Sequence, residues 1–162
     1  MLQVGDRIVY PMHGAGEITC IEECEIMGQV REYYVLQLPL GNIKIMLPTD
    51  NVDNIGLRQI SPPEMVSQVE TTMLGKPEPN LGSWNKRFHR NMDRLKGGDL
   101  LEAAAVIRNL ILQDRKRKIS SGERRLLDLA KQIFFSELSF ILEKDIPETE
   151  AWSMERLDKN EH

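Results

Sequence analysis

The sequence predicts an α+β protein of two domains, a small β-barrel over residues 1–60 and an all-α domain over residues 61–158. Two observations carry this. Up to Ile60 the chain falls into short β-branched or aromatic runs with partial alternation, separated by glycine, proline and asparagine; beyond it the apolar residues recur every three or four positions. The formal charge divides the chain as well, at −4 over 1–60, −2 over 61–83, +7 over 84–125 and −5 over 126–162, which together give the net −4.

In the first part, "DRIVYP", "GAGEITCIEEC", "REYYVLQLP" and "NIKIMLP" are the strand-forming runs, with turns at Met27-Gly28-Gln29 and Leu40-Gly41-Asn42. About four or five strands in so short a stretch imply a strongly bent barrel, because a flat sheet of that size cannot bury its apolar face. "NIKIMLP" places Ile43, Ile45 and Leu47 on one side and Lys44 and Met46 on the other, and Pro48 ends it. Such a late strand suits the edge of an open barrel, where unpaired backbone groups accept a strand from another chain. The alternative is that Lys44 protects the edge against that pairing.

In the second part, Ser61-Pro62-Pro63-Glu64, Asp99 with Glu102, and Ser120 with Glu123 each have the spacing of a capping box. The expected helices are 62–74, 84–96, 99–117, 121–143 and a shorter one after Pro147. Leu100, Ala104, Ile107 and Ile111, then Leu126, Ala130, Ile133 and Leu138, form the stripes that these helices bury against one another. "GKPEPNLGS" reads as an ordered surface loop between the first and second helices.

Composition narrows the function classes. No apolar run approaches the roughly 18 residues of a membrane span, and "MLQVGDRIVY" lacks the features of a signal peptide, so a cytoplasmic location is expected. Cys20 and Cys24 are the only cysteines, and with His13 they do not complete a zinc site; no metal or other cofactor is expected. "HGAG" at 13–16 lacks an accompanying G-x-S-x-G elbow and reads as a tight turn. His89 lies between Arg87 and Arg90 with no carboxylate to orient it as a base. An enzyme with a small-molecule substrate is therefore not expected. The basic block between acidic flanks points to a local anionic partner, or to solvated helix faces.

"GSWNKRFHRN" sharpens that choice. Trp84, Phe88, Met92 and Leu95 share one helical stripe, so the indole could begin the apolar face that packs on the domain. A first-turn side chain can also project past the helix end, here among Lys86, Arg87, His89, Arg90 and Arg94. Residue pattern alone leaves both open, with core burial ahead.

The blocks "VGDRIVYPMHGAGEI", "REYYVLQLP", "IKIMLP", "NVDNIGLR", "SWNKRFHRN", "LKGGDLLEAAAVIRNL" and "SSGERRLLDLAKQIFFSEL" follow one another over about residues 2–142. In them the chain resembles the CarD/CdnL family of bacterial transcription regulators. The resemblance implies a Tudor-like (SH3-like) barrel that binds the lobe of the RNA polymerase β subunit, with Ile43, Lys44, Ile45, Met46, Leu47 and Pro48 at the contact. It implies a helical domain that meets promoter DNA at the upstream edge of the transcription bubble, and hence association with the nucleoid through polymerase. Trp84 matches the family's minor-groove tryptophan, with Lys86, Arg87, His89, Arg90, Arg124 and Arg125 as the accompanying DNA-contacting positions. His89 stands where relatives often have lysine, and Met46 and Cys24 replace arginines found in some members. Beside this reading stands a Tudor-like peptide-binding adaptor with no DNA contact.

Overall fold

A computed structural model describes residues 2–79 and 82–160. Five strands form one antiparallel sheet: β1 Arg7–Tyr10, β2 Gly14–Ile26, β3 Gln29–Gln37, β4 Lys44–Pro48 and β5 Arg58–Gln59, in the order β4-β3-β2-β1-β5. The long β2–β3 hairpin keeps register from Glu17 opposite Gln37 to Ile26 opposite Gln29, with one irregularity between Ile18 and Cys20. Met27 and Gly28, both at positive φ, make its two-residue turn. Ile8, Ile18, Tyr34, Leu36, Leu38 and Leu47 fill the concave side of the sheet, so the expected small Tudor-like barrel is present. Tyr33 and Tyr34 occupy opposite faces as alternation requires, yet both are buried.

The helices are α1 Val66–Leu74, α2 Trp84–Lys96, α3 Leu100–Lys116, α4 Ser121–Leu142 and α5 Ile146–Asn160. The stripes read from sequence meet in one core, with Phe134, Phe135, Ile107, Leu110 and Leu126 at its centre. Asp99 caps α3 by accepting from Leu101 N–H at 2.8 Å, and Ser120 caps α4 by accepting from Glu123 N–H at 3.2 Å. Two expectations need correction. Ser61 does not cap a helix; Pro62 leads into a short 3₁₀ turn, Pro63–Met65, and α1 begins only after it. Ser61 is instead turned toward Glu137, which accepts hydrogen bonds from both its N–H and its hydroxyl. The last helix begins at Ile146 and runs for 15 residues, longer than α1 or α2, because Asp145 caps it from Glu148 N–H at 2.8 Å and Leu157 anchors it in the core.

The two domains are joined through α4. Gly14 opens β2 at φ +126, and a Cβ there would lie 2.6 Å from Ser136 Oγ and 3.1 Å from the Gln132 carbonyl. Only glycine satisfies both the backbone conformation and the approach. Ala15 N–H then donates to Ser136 Oγ at 2.8 Å, and Gln132 Nε2 donates to His13 O at 2.7 Å. At the other end of the contact Arg58, on β5, donates through both terminal nitrogens to Glu137 at 2.7 and 2.9 Å and through Nε to Gly98 O at 2.8 Å. The Arg7 guanidinium lies 4.8 Å from the Phe140 ring centroid. "HGAG", read as a tight turn, is thus also the docking strand of the barrel.

Candidate protein and nucleic-acid interfaces

Among the described residues β4 pairs only with β3, through Gln37–Lys44, Leu36–Ile45, Val35–Met46, Tyr34–Leu47 and Tyr33–Pro48, and so forms an edge of the sheet. Leu47 is buried and Ile43 and Ile45 pack against the barrel core, while Lys44 and Met46 face outward. Met46 is 38% exposed. The strand carries an unpaired backbone edge and an apolar outward side chain, the two features that strand addition uses.

The second site begins at α2. Ser83, the N-cap, accepts from Lys86 N–H at 3.4 Å, a cap the residue spacing permits but that was not read from sequence. Trp84 is the first helical residue and is 50% exposed. The stripe it heads sinks gradually: Phe88 and Met92 are partly buried and Leu95 is fully buried. The Trp84 and Phe88 rings meet edge to face at 6.4 Å between centroids. On its other side the indole faces α4, where a Cβ on Gly122 would be 3.6 Å from Trp84 Cζ3.

The expected cations divide into two groups. Lys86, His89, Arg90 and Arg125 are exposed. Arg124 is also exposed but reaches Asp114 at 2.8 Å. Arg87 is turned inward: Nη1 donates to Gly82 O at 3.0 Å and Nη2 to Glu123 Oε1 at 3.4 Å, and Glu123 is 2% exposed. Arg94 is bound to Glu78 and Glu102, each at 2.5 Å. Glu78 also accepts from Asn109 and lies 3.6 Å from Arg108, pinning the loop before α2 onto α3. The Arg94 hydrogen bond holds the Glu78 carboxyl below its ordinary value of 4.5, with burial opposing. Arg87, Arg90, Arg94 and Lys116 line a concavity of about 310 Å³ together with Glu78, so its positive charge is partly neutralised from within. The face offers a few outward cations around an exposed ring, suited to a small number of phosphates and one apolar insertion.

Tyr10 packs at a tilt against His13, with ring centroids 4.2 Å apart, and Tyr33 and Tyr34 are buried on opposite faces, so these three tyrosines do not form a cage for a methylated side chain. Among the described residues no group of three or more His, Cys, Asp or Glu could hold a metal, and no helix is long and apolar enough to cross a membrane.

Known proteins match both domains. Residues 2–61 match the CarD-like/TRCF RID domain, and residues 68–154 match the CarD C-terminal domain. YdeB of Bacillus subtilis (strain 168), whose name assigns it provisionally to the transcription factors, is 33% identical over 141 residues, covering 87% of this chain and 92% of YdeB. The solution structure of the 72-residue N-terminal domain of Myxococcus xanthus CarD is 32% identical over 36% of this chain and 79% of that domain, with a TM-score of 0.31. With both family domains matched in order along one chain, and a relative aligned over nearly its whole length, the protein belongs to the CarD/CdnL family of transcription regulators.

Proposed function

We propose that the protein is a non-catalytic regulator that docks on the lobe of the RNA polymerase β subunit through β4 and stabilises the open promoter complex. Trp84 acts as a wedge at the upstream edge of the bubble, in the minor groove. Lys86, His89, Arg90, Arg124 and Arg125 meet the surrounding phosphates. The observation that carries this reading is Trp84 itself, a large apolar ring half exposed at the start of a cationic helix. A half-exposed tryptophan beside cations suits base stacking better than full burial in the domain.

A chain of net charge −4 with few outward cations has little affinity for free DNA, since affinity follows the phosphates neutralised. Docking on polymerase makes the DNA contact intramolecular, at an effective concentration in the roughly millimolar range. That gain needs a fixed geometry, and α4 supplies it. Gly122 and Glu123 at its start meet α2, while Ser136 and Glu137 meet the barrel. Fourteen residues of helix from Glu123 to Glu137 separate these contacts by about 21 Å. Inserting the ring at a step already unstacked avoids the cost of unstacking an intact duplex, so the wedge favours the open state and shifts the population toward it.

The test is the decay of open complexes under competitor challenge. With Trp84→Ala the lifetime on a responsive promoter should fall to the value without the protein while binding to the isolated β lobe persists. A variant that still prolongs open complexes would overturn the wedge, and one that loses lobe binding would overturn the separation of the two contacts.

A further inference from the structure

Gly122 raises a question that its backbone does not answer. It occupies the second position of α4 with ordinary right-handed geometry, not the positive φ that favours glycine. Most other residues would stabilise the helix there. The space around it is also open: a Cβ would have only Trp84 Cζ3 at 3.6 Å and Ser120 Oγ at 4.0 Å nearby. A methyl group is therefore accommodated, whereas a longer side chain grows into the region the indole occupies. The neighbouring residue acts on the same helix. Glu123, held by the Ser120 cap, receives Arg87 of α2, one turn after Trp84.

We propose that Gly122 and Glu123 are positioning residues that form a seat for the start of α2. Gly122 leaves the platform for the indole, and Glu123 fixes the turn that carries it through Arg87. α2 buries only Leu95 fully, so its N-terminal end has little core packing to hold it, and these contacts to α4 define where the ring rests before DNA arrives. The residue at 122 thereby sets how the wedge is presented. This rests on the wedge reading of Trp84 for its consequence in transcription, but the seat itself is a property of the free protein.

The experiment uses the full chain carrying Trp152→Phe, so that Trp84 is the remaining tryptophan. Gly122→Ala should leave acrylamide quenching of Trp84 fluorescence and open-complex lifetime unchanged. Gly122→Leu should raise the quenching constant about twofold and shorten open complexes severalfold, with no loss in thermal midpoint because the substitution favours helix. Gly122→Gln repeats the test with a polar side chain of similar reach, in case leucine promotes aggregation. Glu123→Gln, which keeps the shape and removes the charge, should also raise quenching. Unchanged quenching in both Gly122→Leu and Gly122→Gln overturns the seat, as does a lowered midpoint in these two variants that accounts for the lost activity. Altered quenching with unaltered lifetime overturns its role in presentation. Failure of Trp84→Ala to shorten open complexes overturns the wedge reading instead, and quenching still decides the seat.

Discussion

Arg58 and Glu137 lie 79 residues apart in the chain and form a two-pronged ion pair at 2.7 and 2.9 Å across the junction of barrel and helices. Glu137 is 1% exposed and takes two further hydrogen bonds from Ser61, both at 2.8 Å, so a carboxylate buried in a helix is fully occupied by groups from the barrel and its exit strand. The pair is one-sided: Arg58 keeps 34% of its side-chain surface in water, and only the carboxylate depends on its partner to offset burial.

Removing the Arg58 side chain should therefore cost about 3 kcal/mol, the lower end for a broken buried pair, because the buried Glu137 carboxylate loses its cation and keeps the hydrogen bonds from Ser61. Arg58→Ala should lower the thermal midpoint and expose the segment between β5 and α1 to limited proteolysis. Binding to the isolated β lobe should survive, while the advantage of tethering falls as the two contacts lose their fixed spacing. A variant as resistant to protease as the wild type would show that Gly14, Ala15 and Ser136 hold the junction without the ion pair.

Much of this architecture is legible in the sequence, and the limits are physical. The change of period at Ile60 gives the domain order, and the Ser120 and Asp99 caps give two helix starts, because both signals are local. Ser61 has the same local spacing, but a buried carboxylate 76 residues away competes for its groups and wins. Glu137 sits at a polar position between Phe135 and Leu138 with nothing nearby to indicate Arg58 as its partner. For a related reason the residue pattern alone puts core burial of Trp84 ahead of exposure. Its stripe is genuine, as Leu95 shows, and only the position of α4 relative to the start of α2 settles how far up the stripe burial extends.

At the barrel edge, Met46→Glu should abolish binding to the isolated polymerase β lobe and leave the thermal midpoint unchanged. Met46 projects outward from β4 opposite the buried side of Leu47, so a charge there meets water in the free protein and an apolar contact only in the complex. Binding at wild-type affinity, measured by titration, would place the interface away from β4.

The basic residues should separate by direction. Lys86→Ala and Arg125→Ala should each weaken DNA engagement in the polymerase complex alike for all sequences and reduce the salt slope by about one phosphate contact. Arg87→Ala should act on the fold instead, because it leaves the Glu123 carboxylate buried without a cation. The expected loss is about 3 kcal/mol, at the lower end for a buried pair because the contact is a single one at 3.4 Å. Equal midpoints for the Lys86 and Arg87 variants would mean that Arg87 contributes no more to folding than a surface lysine.

The Glu78 latch predicts a pH dependence. Its carboxyl is held below 4.5 in the folded chain by the Arg94 hydrogen bond, so the unfolded chain binds the proton more readily. The stabilisation is complete above the ordinary value of 4.5 and is lost as pH falls through the lower folded value. Thermal midpoints measured downward from pH 5 should therefore decline less steeply in Glu78→Gln than in the wild type, since glutamine has no proton to take up. Parallel curves would assign the acid sensitivity to other carboxylates.

The two ends of the α2 stripe give the last contrast. Leu95 is 1% exposed and Trp84 is 50% exposed, although both belong to the same run of apolar positions on one helix. Leu95→Ala empties a closed part of the core and should cost about 2–5 kcal/mol, as buried leucines do. Trp84→Ala removes a far larger side chain but leaves no closed cavity, because the residue is half exposed and its ring meets Phe88 edge to face beside the start of α4. Its cost should be about 1 kcal/mol, close to the average for point substitutions and well below the roughly 3–5 kcal/mol of a truncated core tryptophan. Denaturant unfolding of the two variants side by side measures the difference directly. If Trp84→Ala is as destabilising as Leu95→Ala, the ring is holding α2 in place, and its removal would disturb the proposed DNA-facing surface through the fold; if it is nearly neutral, any loss in open-complex lifetime belongs to the ring itself.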